Sequence, residues 1–175
     1  MNPELEISLL TPENWQECHE IKLRALRCDP ASFGESYDQE AARTEGDIRI
    51  QLNDPYCRVY VARIDKKPVA LVVAMLLVPK HVIHMARLGY VFTDPEFRRL
   101  GIGEKLLAYV INDLKQNPVT TRVALSVGAD KTAARKLYEK LGFKEFGFAH
   151  NEMRVDGKYI DQVHMELLFE GKAIQ

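Results

Sequence analysis

Cysteine is scarce: Cys18, Cys28 and Cys57 are odd in number and lack metal-ligand spacing. That excludes a disulfide framework and a zinc site, so the thiols are read as free in a reducing compartment, with no metal expected. No charge of one sign dominates, because 24 Lys and Arg face 25 Asp and Glu. A nucleic-acid binder relying on a bulk basic field is thereby excluded. Long apolar runs are missing too. Residues 68–79 form the longest, and a dozen residues make a buried strand where a membrane span needs roughly 20. The start, Met1-Asn2-Pro3-Glu4, has no basic stretch ahead of an apolar one, so no signal peptide is expected and a cytoplasmic location is. Repeats, low-complexity tracts and linkers are absent. What remains is a chain of 175 residues, 46% of them apolar, which suits one domain over residues 1–175 with a full core.

The patterning is that of an α/β domain. Residues 5–10 alternate as a first strand. Thr11-Pro12 opens a helix that runs to Cys28 and stops at Asp29-Pro30. Residues 31–37 read as a loop and residues 38–52 as one polar helix. Strands are predicted at 58–64, 69–78 and 82–92, the second of them covered on both faces. Gly89 marks a bulge or a close backbone approach in the third. A helix over 103–116, a strand over 122–127 and a helix over 131–141 closed by Gly142 follow. Two last strands, 144–153 and 162–169, flank a turn at Val155-Asp156-Gly157-Lys158. The implied architecture is a mixed, mostly antiparallel sheet flanked by helices, with a bulged central strand.

Chemistry concentrates where the third of those strands meets the following helix. Arg98-Arg99-Leu100-Gly101-Ile102-Gly103-Glu104 places two glycines before an amphipathic helix. Without Cβ atoms the backbone turns tightly and approaches a ligand closely. The first helical turn leaves N–H groups unpaired and carries partial positive charge, which suits a pyrophosphate. Arg98 and Arg99 add charge beside it. The segment is not a dinucleotide fingerprint, since Leu106 stands at the third glycine position, nor a phosphate loop, since no Gly-Lys-Ser/Thr is present.

A second segment, residues 125–143, follows closely. Together the two resemble the GNAT superfamily of N-acetyltransferases. Arg98, Gly101 and Gly103 occupy the defined positions of its R/Q-x-x-G-x-G/A motif. Ala134, Leu137, Tyr138, Gly142 and Phe143 match its later strand-to-helix element. The resemblance spans residues 84–143 in its motifs and nearly the whole chain in its order of elements.

The resemblance implies an enzyme that moves the acetyl group of acetyl-CoA to a primary amine by direct attack. It implies a strand that splays from its neighbour at a bulge, with Gly89 at the bulge. Backbone groups of Tyr90, Val91 and Phe92 then hold the pantetheine arm, and a strand N–H near Val91 holds the oxyanion. The amides of Arg98, Arg99, Leu100, Gly101, Ile102, Gly103 and Glu104 cradle the pyrophosphate. Tyr138 is the general acid for the departing thiolate. Lys131 stands where the family often has Asn, and it, Lys136 and Arg135 are candidates for phosphate contacts. For the base, Glu35, His84 on its strand and His164 on a late strand are the candidates, with a water chain to a more distant carboxylate as the alternative. The loops 31–38 and 151–161 are expected to shape the acceptor pocket, which takes a small-molecule or protein amine. Glu35 or Asp161 would attract its charge. Neither nucleic acid nor membrane is an expected partner, and a homodimer is compatible with the family. A module that binds acyl-CoA without turnover is the competing reading.

Overall fold

The computed structural model describes residues 4–170. The start at Met1 to Pro3 and the last five residues of the expected domain lie outside the described residues. One seven-stranded sheet organises the chain, in the order β1-β2-β3-β4-β5-β7-β6. Its strands are β1 (Leu5–Leu9), β2 (Cys57–Ile64), β3 (Lys67–Leu76), β4 (Met85–Thr93), β5 (Arg122–Gly128), β6 (Lys144–Val155) and β7 (Lys158–Leu168). All neighbours pair antiparallel except β4 and β5. Among the described residues, five α-helices cover it: α1 (Trp15–Cys28), α2 (Tyr37–Ala41), α3 (Glu45–Asn53), α4 (Ile102–Gln116) and α5 (Thr132–Lys140).

The strand alternation divides the core. On one face Val123, Leu125 and Val127 of β5 pack with Leu106, Leu107, Val110 and Leu114 of α4 and Tyr138 of α5. On the other, Leu71 and Val73 of β3 and Phe92 of β4 pack with Cys18, Ile21, Ala25 and Leu26 of α1 and Ile48 and Leu52 of α3. The buried positions of α1 and α4 recur at helical spacing, so each helix presents a single apolar stripe.

Four expectations are corrected. The polar helix over 38–52 is two helices, because the run contains two start signals. Ser36 accepts from the Gln39 amide at 3.2 Å, and Thr44 accepts from the Asp47 amide at 3.2 Å, each returned by the partner side chain. The third predicted strand begins at Met85, not at residue 82, which leaves His84 in a turn. The bulge lies past Gly89. Gly89 pairs normally with Val73 and Phe92 with Leu71, so Tyr90 and Val91 together oppose Val72, and Tyr90 takes φ +48°. The supposed loop 151–161 is mostly hairpin, since β6 and β7 run on to a tight turn at Asp156 (φ +48°) and Gly157 (φ +79°).

Candidate active site

The parallel pairing of β4 and β5 is short: Met85, Ala86 and Arg87 meet Arg122, Val123 and Ala124, and nothing pairs beyond them. Past that point β4 turns away at its bulge while β5 continues to Gly128. The result is a cleft of about 910 Å³, within the usual range for ligand pockets. Its walls are residues 88–93 of β4, the end of β5, the loop before α4 and one face of α5 from Thr132 to Tyr138. Beyond Arg87 no residue of β4 pairs with β5 among the described residues, so the edge of β4 at Tyr90 and Val91 faces the cleft.

The loop below is fixed by its own contacts. Asp94, nearly buried, accepts from Arg24 at 3.0 Å, and its backbone N–H donates to Val69 at 2.8 Å. Arg98 donates to the Thr93 carbonyl at 2.9 Å. The chain then passes through φ +63° at Arg99 and +75° at Gly101 before α4 begins. The two glycines serve different needs. Gly101 supplies the left-handed N-cap. At Gly103 a Cβ would lie 2.8 Å from the Thr93 hydroxyl, so glycine lets α4 start against the end of β4. The first-turn amides of α4 have no helical acceptors and look into the cleft, where its dipole favours an anion.

Tyr138 lines the cleft from α5 and is 5% exposed. Its ring meets Phe143 edge-on at 5.9 Å, and its hydroxyl has no hydrogen-bond partner among the described residues. Burial alone pushes the phenol well above its usual range, so the group keeps its proton. It is a proton donor with nothing yet to donate to.

Tyr90 is held on the other side of the bulge. Its ring stacks on Phe33 at 5.0 Å, the Lys22 ammonium lies 4.6 Å over it, and its hydroxyl donates to Glu35. Burial, reinforced by the Glu35 carboxylate, raises this phenol as well. Glu35 itself faces a separate hollow of about 290 Å³, lined also by Lys22, Gln39, Glu40, Arg43 and Gln51.

Of the residues singled out from sequence, Tyr90, Val91, Phe92, Arg98, Arg99, Gly101, Ile102, Gly103, Glu104, Lys131 and Tyr138 all line the cleft. Leu100 does not: it is 64% exposed and points to solvent. Lys136 is exposed on α5 outside the cleft. The Lys131 ammonium is taken by Asp29, at 3.0 Å. Arg135 donates to Ala129 and Glu145. His84 sits six residues before Tyr90, roughly 20 Å along an extended chain, and its carbonyl accepts from Thr121 and Arg122. It is removed from the cleft. Ser32 and Phe33, from the loop expected to shape the acceptor pocket, line the cleft, while sequence reasoning missed Asp29 and Ser126, which complete its wall. Neither has a local signature, and only the fold brings them together.

The profile described as acetyltransferase (GNAT) family matches residues 15–143. A [ribosomal protein bS18]-alanine N-acetyltransferase of Salmonella typhimurium is 34% identical over 94 residues, which cover 54% of this chain and 63% of that protein. The chain thus spans less than two-thirds of the curated relative it matches. Among solved structures, an acetyltransferase of the GNAT family from Streptococcus pneumoniae superposes with a TM-score of 0.85 at 23% identity, over 95% of this chain and 100% of that one. A putative acetyltransferase from Salmonella typhimurium, solved with acetyl-CoA, gives 0.78 at 15% identity over 98% of both chains.

Proposed function

Since the chain belongs to the GNAT family of acetyltransferases, we propose that it transfers the acetyl group of acetyl-CoA to a primary amine. The observation that carries this reading is the pairing of an open strand edge with a buried, unpartnered phenol across one cleft. The β4 edge at Tyr90 and Val91, left free of β5, suits the amide groups of an extended pantetheine arm. The first turn of α4 and the residues 98–104 suit a pyrophosphate. Tyr138 holds the proton that a departing thiolate requires.

The amine attacks the thioester carbonyl, the C–N bond forms, and the C–S bond breaks with protonation of sulfur by Tyr138. In this reading a strand N–H near Val91 receives the transient oxyanion. Phe33, Tyr90 and the hollow behind them lie on the face opposite α4 and α5, which leaves that face for the acceptor. The named activity of the relative supports a protein α-amine as acceptor.

The test is release of free CoA from acetyl-CoA with a panel of amines that includes a peptide with N-terminal alanine. Thiol release with at least one amine, together with a higher melting temperature in acetyl-CoA, is expected. Neither effect with any amine would overturn the reading.

A further inference from the structure

Acetyl transfer needs a proton acceptor on the amine side; of the candidates named from sequence, His84 is remote, Glu35 is committed to the Tyr90 hydroxyl, and His164 is left. A third arrangement is present at the cleft wall. Ser126 lies on β5 two residues beyond Ala124, the last residue paired with β4, and its exposed side chain lines the cleft. Its oxygen is 2.9 Å from Nδ1 of His164, the β7 residue in register with it. Nε2 of the same ring is 3.0 Å from Oε2 of Glu152.

The carboxylate arrives there through a local distortion. On β6, Ala149 pairs with Gln162 and Met153 with Ile160, so residues 150–152 oppose Asp161 alone. Asn151 takes φ +53°, and its amide donates to the Asp161 carboxylate at 2.8 Å. Such an irregularity re-aims side chains, and here it aims Glu152 at the histidine.

We propose that Ser126, His164 and Glu152 form the relay that takes the amine proton, a role resting on the acetyl-transfer reading above. With Nε2–H donating to Glu152, Nδ1 is the basic nitrogen and accepts the Ser126 proton. The order then follows. The amine nitrogen bonds to the acetyl carbon. The nitrogen gives its extra proton to the Ser126 oxygen as the hydroxyl proton passes to His164. The C–S bond breaks and the thiolate takes the Tyr138 proton. His164 and Tyr138 reset by proton exchange with water, so an acetamide and CoA thiol are the only net products. Ser126 is the one member that faces the acceptor, and Glu152 is a positioning residue.

The surroundings of the ring are few in charge. Glu152 faces it from β6 and Ser126 from β5. Along β7 the nearest ionised group is Glu166, whose carboxylate is engaged by Arg122 of β5 at 2.6 Å. The Phe146 ring of β6 lies 5.9 Å away.

The test compares the full chain with His164→Gln, Ser126→Ala and Glu152→Gln, using the most active amine of the panel. His164→Gln is expected to lower kcat about a hundredfold and to flatten the acidic limb of its pH profile. Ser126→Ala and Glu152→Gln are each expected to cost about tenfold, with acetyl-CoA affinity kept within about twofold in all three. Should His164→Gln fail to fold, Ser126→Ala, at an exposed position, carries the test. Variants with wild-type rate and pH profile overturn the relay and leave acetyl transfer standing. Wild-type protein that releases no CoA and gains no stability from acetyl-CoA overturns acetyl transfer, and the relay with it.

Discussion

Two hollows flank the bulge at Tyr90. The larger is walled chiefly by backbone, glycine and apolar side chains of β4, β5, α4 and α5. The smaller is lined by Lys22, Glu35, Gln39, Glu40, Arg43 and Gln51, every one polar, from α1, α2, α3, the loop before α2 and the link between α2 and α3. A backbone-built site tolerates changes of side chain and holds a long flexible ligand through repeated amide contacts. A side-chain-built site depends on every partner being present. Lys22 and Glu40 are each only 2% exposed and 3.2 Å apart. Arg43 reaches the same Glu40 oxygen at 3.4 Å, while the other oxygen, Oε1, is buried without a partner.

The largest effect is therefore expected in the smaller hollow, on stability. Lys22→Met keeps the aliphatic stem and leaves the buried Glu40 carboxylate with the longer, partly exposed Arg43 contact alone. Breaking a buried pair from one side costs about 3–5 kcal/mol. Urea unfolding of Lys22→Met, Glu40→Gln and the double variant measures it. The double variant is expected to recover part of the loss, because neither charge is then left alone. Purely additive losses would show that the two side chains act separately and that the hollow is not a coupled network.

The larger cleft is expected to respond in rate and not in stability. Tyr138→Phe removes one hydroxyl that makes no hydrogen bond, so the melting temperature should hardly move. Turnover is expected to fall about a hundredfold, the ordinary yield of a general acid, while acetyl-CoA continues to raise the melting temperature. Full activity in Tyr138→Phe would take the proton donation away from α5.

The same contrast explains what could be read from sequence. The cleft floor is one contiguous stretch, so Arg98, Gly101 and Gly103 announce it in order. Tyr138 follows at helical spacing in α5, after β5. The mostly antiparallel α/β sheet was legible from alternation and turn residues. The bulge was misplaced by one residue because glycine is the cheap occupant of positive φ. Tyr90 takes that conformation instead, at a cost of roughly 1–2 kcal/mol, and three contacts with Phe33, Glu35 and Lys22 fasten it there. Those partners lie far from Tyr90 in sequence and have no local pattern. Ser126, His164 and Glu152 are equally scattered, and they meet only through strand register and a distortion that alternation does not encode.

The smallest effect separates Tyr90 at the bulge from Tyr138 across the cleft. Burial raises both phenols, but only Tyr90 has a carboxylate against it. Below the ordinary phenol value of about 10, the folded and unfolded chains both keep these protons, and stability does not depend on them. As pH rises past that value the unfolded chain releases protons that the fold retains, so stability falls with pH. Glu35→Gln removes the repulsion that opposes a Tyr90 phenolate, while Tyr138 has no charged neighbour to lose. In an absorbance titration at 295 nm, Glu35→Gln should therefore ionise a tyrosine at lower pH than the wild type does. The same difference should persist in a Tyr138→Phe background and vanish in a Tyr90→Phe background, since Tyr60, held by Asp113, is unaffected by Glu35. Identical titration curves for wild type and Glu35→Gln would mean that burial alone holds the Tyr90 proton, and the distinction between the two sides of the bulge would reduce to packing.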